Sequence, residues 1–265
     1  MSTTTAIRLL AFLCLLLPAS AFARRQDTGF LDRSISVGAE TFRYQVFLPA
    51  VWDKHRKWPV ILFLHGAGER GDDGLFQTDV GLGHAIRRRP ADFPFVVVMP
   101  QCRRDHLWVE NAMEAQALAA LERSINEFNG DRSRLYLSGI SMGGYGSWDL
   151  AVQYPHMFAA YVIVCGGIHA PPNLPALHSR LLDDPSISDP YAETARRVGK
   201  IPIWIFHGGS DPVVPVEESR KMYAALETLK GNVKYREFPG VGHESWTRAY
   251  AEPGLLPWLL AQKRR

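Results

Sequence analysis

The chain is short of cysteine, of charge of one sign and of long apolar runs. Three cysteines among 265 residues are too few to staple a disulfide scaffold. Thirty Lys and Arg against 27 Asp and Glu leave a formal net charge of only +3. The basic residues are scattered, apart from Arg87-Arg88-Arg89 and Lys263-Arg264-Arg265. A nucleic-acid partner calls for a dense basic face, so none is expected, and both short runs read as solvated surface. No stretch approaches the roughly 20 apolar residues that a membrane helix needs, which argues against stable membrane insertion. Gly-Lys-Ser/Thr follows none of the glycine-rich loops, which disfavours a phosphate cradle. Neither Cys102 nor Cys165 stands at metal-ligand spacing to a histidine. No metal and no cofactor is expected.

What remains is an ordinary globular composition, 46% hydrophobic and 22% charged. The first 23 residues read as a leader. Arg8 precedes apolar residues 9–17 and Pro18, and Ala21-Phe22-Ala23 fits the small-x-small rule for signal peptidase. Cleavage is expected near Ala23, giving a secreted or periplasmic protein with a single catalytic domain over residues 24–265.

Beyond the leader, strands alternate with helices. Residues 31–37 and 42–48 alternate apolar and polar around Gly38-Ala39-Glu40, which predicts a hairpin. Residues 60–64, 95–99, 135–137, 159–164, 203–206 and 233–238 form short strand-like runs, mostly ending in Gly, Pro or Ser. That pattern predicts strands buried on both faces of a parallel sheet. Leu118, Leu121, Ile125 and Phe128 recur at helical spacing, as do Met222, Leu226 and Leu229. The expected architecture is α/β: a mainly parallel central sheet with an N-terminal antiparallel hairpin, helices on both faces, and a short proline-rich cap or rim around residues 166–200.

The chemistry concentrates at strand ends. Gly139-Ile140-Ser141-Met142-Gly143 lies between a strand and a helix-like stretch. A serine on such a turn is lifted above the sheet, and the flanking glycines leave room for the turn. Its hydroxyl needs a base, for which His243 in Pro239-Gly240-Val241-Gly242-His243 is the candidate. Asp211, in His207-Gly208-Gly209-Ser210-Asp211, is placed to orient that imidazole, although taken alone it also reads as a turn or capping residue. The order Ser141, Asp211, His243 is that of an α/β-hydrolase triad. Oxyanion donors are expected from the amides of Met142 and Ala67, with Gly66 in reserve, because small residues let the backbone approach substrate.

These motifs together resemble an α/β-hydrolase esterase over essentially the whole mature region. His65-Gly66-Ala67-Gly68-Glu69-Arg70-Gly71, Pro100-Gln101-Cys102, Gly139-Ile140-Ser141-Met142-Gly143-Gly144, His207-Gly208-Gly209-Ser210-Asp211 and Gly242-His243-Glu244-Ser245-Trp246 are similar to one branch. It holds secreted carboxylesterases and feruloyl-esterase-like and polyhydroxybutyrate-depolymerase-like proteins, often labelled peptidases. The resemblance implies the same triad and oxyanion residues but leaves the substrate open.

The expected activity is hydrolysis of small-molecule or polymer-borne carboxylic esters with short or aromatic acyl groups. A serine peptidase with the same triad and a noncatalytic polymer-binding relative are the alternatives. Trp246 and Trp108 are candidates to line an acyl pocket, though Trp108 reads slightly better as packing. Glu69 is a candidate for substrate binding or for an ion pair with Arg70. Tyr145 is expected at the rim and Trp148 in the core. Cys102 and Cys165 follow strands three positions apart in the implied order, roughly 14 Å at ~4.8 Å per step, so they are expected as free, mostly buried thiols.

Overall fold

The computed structural model describes residues 27–264. The expected leader and its cleavage point lie outside the described residues. The hairpin forms first: β1 (Gly29–Val37) and β2 (Glu40–Leu48) pair antiparallel, with Val37 opposite Glu40. Only Gly38 and Ala39 remain for the turn, and Gly38 takes φ +60°, a conformation open to glycine at little cost.

Six further strands complete one eight-stranded sheet: β3 (Trp58–Leu64), β4 (Val96–Pro100), β5 (Gly130–Ile140), β6 (Ala160–Val164), β7 (Ile203–Gly208) and β8 (Val233–Phe238). The order is β1-β2-β4-β3-β5-β6-β7-β8, with β2 antiparallel to β4 and every later pairing parallel. This is the α/β-hydrolase sheet that the resemblance implied.

Two strands depart from the sequence reading. β5 has 11 residues rather than three, because the polar stretch from Asp131 to Arg134 continues the strand towards Gly130, which pairs with Trp58. Apolar runs cannot register such a polar strand half. β8 is not buried on both faces. It is the sheet edge and exposes Lys234 and Arg236, charges of the kind that discourage further strand pairing.

Among the described residues, seven helices flank the sheet: α1 (Leu82–Arg88), α2 (Asn111–Glu127), α3 (Met142–Gln153), α4 (Pro190–Val198), α5 (Glu217–Thr228), α6 (Trp246–Ala249) and α7 (Leu255–Leu260). Alternate strand residues feed two cores. Val60, Leu62, Val98, Leu137 and Ile205 pack beneath the α2–α5 face, with Met113, Leu121, Trp148 and Met222. Ile61, Phe63, Val97, Val162 and Phe206 face Leu82, Ile86, Tyr250 and Leu259 on the other side. Each such side chain contributes about 1.5–3 kcal/mol on burial. These two cores hold the carboxyl ends of β3, β5, β7 and β8 along one end of the sheet, with β6 between β5 and β7. Leu229 falls just beyond α5 and is exposed.

The 166–200 segment does lie between β6 and β7, but part of it is an ordinary flanking helix. Asp189 caps α4 by accepting the amides of Tyr191 and Ala192, and α4 packs on α3 and α5. Arg180 ties the segment down by pairing with Asp149 of α3 and Glu114 of α2. Tyr145, expected at the rim, is fully buried, and its hydroxyl donates to the His169 carbonyl at 2.9 Å.

Candidate active site

β5 ends at Ile140, and α3 begins at Met142. The residue between them, Ser141, sits at φ 51°, ψ −119°, a strained conformation for a non-glycine residue. Packing enforces the turn: a Cβ on Gly139 would come within 2.1 Å of the Gly143 carbonyl oxygen. Ser141 donates its amide to Val164 O at 2.9 Å and accepts the amides of Gly144 and Tyr145. Ser141 thereby stands just past the carboxyl end of β5.

The loops after β7 and β8 bring the other two groups to it. His243 Nε2 lies 2.8 Å from Ser141 Oγ, and His243 Nδ1 lies 2.7 Å from Asp211 Oδ2. An Nδ1–H donated to the carboxylate leaves the Nε2 lone pair facing the serine hydroxyl, the tautomer a general base needs. The Asp211 carboxylate is fully buried, while His243 keeps 19% of its side chain exposed.

Asp211 serves the turn as well as the histidine. Its Oδ1 accepts the amides of Val213 and Val214 at 2.8 and 3.0 Å, but α5 is capped by Val216, so Asp211 is not a helix cap. Burial by itself would raise this carboxyl. Hydrogen bonds from His207, His243 and the two amides outweigh burial and hold it well below the usual carboxylate range.

The oxyanion candidates flank the serine. Met142 opens α3 and Ala67 opens a 3₁₀ turn (Ala67–Glu69), so neither amide has a partner within its own turn. A Cβ placed on Gly66 would lie 3.7 Å from Ser141 Cβ, which brings this loop beside the hydroxyl.

Buried side chains brace the loop. His65 accepts the Cys102 amide at Nε2, 2.9 Å, and so donates Nδ1–H to Gly66 O at 2.6 Å. Complete burial lowers its pKa to about 4, which keeps it neutral. Arg70 Nε donates to Ala67 O at 2.9 Å.

At this loop the packing reading of Trp108 holds, and the Glu69–Arg70 ion pair does not form. Trp108 is 1% exposed, and its indole N–H donates to His65 O at 3.0 Å. It supports the loop from beneath and presents no surface to an acyl group. Glu69 forms no ion pair with Arg70, whose guanidinium is spent on backbone carbonyls. Instead the Glu69 carboxylate turns back towards Gly66, where a Cβ would meet Oε2 at 3.0 Å, and burial raises its pKa. Trp246 does reach the site: its ring stands edge-on to the His243 imidazole, centroids 5.4 Å apart.

Sequence reasoning missed two neighbours of the carboxylate. His207, fully buried, places Nε2 3.2 Å from Asp211 Oδ2. Its place at a strand end, four residues before Asp211, was the available signal. Cys165 has φ 42°, and its sulfur lies with donor atoms of Asp211 and His243 inside a 4.8 Å cluster. Both carboxylate oxygens there are already taken by N–H donors, and burial pushes the thiol up to about 12. Cys102 and Cys165 are free and buried.

Residues 37–248 match the Esterase family model, described as "Putative esterase". A poly(3-hydroxyoctanoate) depolymerase of Pseudomonas fluorescens is 26% identical over 280 residues, covering 93% of this chain and 88% of that protein. An "uncharacterized secreted protein" of Arthroderma benhamiae is 28% identical over 244 residues, 83% of this chain but only 25% of that relative. The solved structure of a thermostable esterase superposes with a TM-score of 0.73 at 30% identity, covering 89% of this chain and 63% of that one. The chain thus spans a quarter of the Arthroderma relative and under two thirds of the solved structure.

Proposed function

The chain belongs to the Esterase family, and from that membership we propose that it is a secreted serine carboxylesterase acting through Ser141, His243 and Asp211. The observation that carries the reading is the unbroken hydrogen-bonded line from Asp211 through His243 to a serine held in a strained turn.

His243 takes the Ser141 proton as Oγ attacks the ester carbonyl. The oxyanion settles against the amides of Met142 and Ala67, and the imidazolium, balanced by Asp211, protonates the departing alcohol. Water then enters along the same path, His243 deprotonates it, and the acid is released.

Short-chain or aromatic acyl groups, free or carried on a polymer, are the proposed substrates. Trp246 beside His243 offers an apolar wall, and one relative bears the name of a polyester depolymerase. Export rests on the charged, apolar and small-residue pattern of residues 1–23 and on the word "secreted" in the other relative's name. The test is a panel of chromogenic esters varying in acyl length and aromaticity, run beside matched anilides. Ser141→Ala should lose on the order of 10⁶ in turnover and all labelling by a fluorophosphonate. Undiminished esterase activity in that variant would overturn the assignment. Faster cleavage of anilides than of esters would make the chain a peptidase.

A further inference from the structure

Asp211 Oδ2 lies between two imidazoles. His243 approaches from the loop after β8 at 2.7 Å, and His207, the penultimate residue of β7, lies 3.2 Å from the same oxygen. His207 is 0% exposed, and its hydrogen bonds determine its tautomer. Nε2 stands 3.1 Å from the Val214 carbonyl, which can only accept, so Nε2 carries the hydrogen. Nδ1 stands 2.7 Å from Ser219 Oγ, and in the neutral ring it accepts that hydroxyl proton. The Nε2–H therefore donates to Val214 O, with Asp211 Oδ2 3.2 Å from the same nitrogen and within reach of its positive N–H end.

We propose that His207 is a positioning residue for the triad: it holds the Asp211 carboxylate in the plane His243 needs and draws off part of the charge that the carboxylate offers to that imidazole. The inference rests on the triad reading above and deepens it. The carboxylate accepts three N–H groups, two amides on Oδ1 and His243 Nδ1 on Oδ2, and the His207 Nε2–H dipole stands 3.2 Å from Oδ2 as well. With the two amides and the His207 contact independent of His243, rotation of the carboxylate is opposed whether or not His243 is in place. A carboxylate satisfied in this way stabilises an imidazolium less than one that gives its whole charge to a single donor.

Other charged or titratable groups face this cluster from each packed element. The Cys165 thiol follows β6, and its sulfur is within 4.8 Å of ligand atoms of Asp211 and His243. The Tyr145 hydroxyl comes from α3 and feels Asp211. Glu237 of β8 acts on His207 but is paired with Arg220 at 2.7 Å. None of them donates to Oδ2 in place of His207.

Two substitutions and one spectrum test this. In His207→Phe, which keeps the ring and removes the donor, kcat/KM should fall about tenfold or more. The acid limb of its pH profile should move to higher pH by about half to one unit. His207→Gln carries an amide N–H to the same place and should recover most of both effects. If both variants lose thermal stability while the acid limb stays where it was, His207 is merely structural and the proposal falls. The native protein supplies a test that needs no variant: two-bond ¹H–¹⁵N correlation should show His207 as the Nε2–H tautomer, and an Nδ1–H tautomer would overturn the proposal. Ser141→Ala and Asp211→Asn, measured alongside, separate the two levels. Full activity in either removes the triad itself, whereas inactive controls with a parental acid limb in His207→Phe remove only the role given to His207.

Discussion

Gly143, the second residue of the helix after Ser141, packs against the carboxyl end of β3: a Cβ there would lie 2.0 Å from the Leu64 carbonyl oxygen. This approach joins the serine turn to the start of the loop that carries Ala67. The two halves of the site are held together by backbone contact, with no side chain between them.

Gly143→Ala should therefore destabilise the protein by about 2 kcal/mol or more, although alanine is the better helix former. Activity should fall with it, because Ser141 and the loop proposed to hold the oxyanion can no longer sit at the same separation. Gly68 is the control. It lies on the same loop with nothing within 4 Å of its notional Cβ and no positive φ. Gly68→Ala should leave the melting temperature unchanged. Equal melting temperatures for both variants would refute the packing argument.

Acid should loosen the site through His65. Its pKa in the folded chain is lowered from 6.5 to about 4, mainly by burial. The unfolded chain thus binds the proton first as pH falls below 6.5, and stability declines from there until the folded form also protonates near 4. Over that window the loss attributable to His65 is about 3 kcal/mol. Urea unfolding midpoints followed between pH 7 and pH 4 should show this decline, and His65→Gln should flatten it. A variant with the parental slope would assign the acid sensitivity to other groups.

Arg70 should matter for turnover more than for stability. Its Nε holds the Ala67 carbonyl at 2.9 Å, and Ala67 supplies a proposed oxyanion amide. Arg70→Ala should lower kcat by roughly 10–100-fold, since small displacements of a donor are costly. KM and the unfolding midpoint should change little. A large rise in KM with kcat intact would mean that Arg70 binds substrate.

Much of this was legible in the chain. The glycines around Ser141 mark a turn where backbone touches backbone, and Ser141, Asp211 and His243 follow, in that order, the ends of β5, β7 and β8. Strand identity failed where polarity and partner mattered. The first half of β5 is polar yet paired with β3, and β8 is half exposed because no strand lies beyond it.

The scarcities at the start keep their meaning: three cysteines leave two buried free thiols among the described residues, and the near-balanced charge dissolves into local pairs such as Arg180 with Asp149 and Glu114. By itself the sequence determined where the chain turns, which segments alternate, and which three side chains stand at strand ends, because glycine spacing and apolar periodicity are local constraints on backbone sterics. The tertiary structure decided which way the remaining side chains point. Trp108 lies under the loop instead of in the cleft, Glu69 lies over Gly66 instead of against Arg70, and His207 faces Asp211. Those outcomes depend on what strands far apart in sequence bring within hydrogen-bonding distance, and only the assembled sheet supplies that.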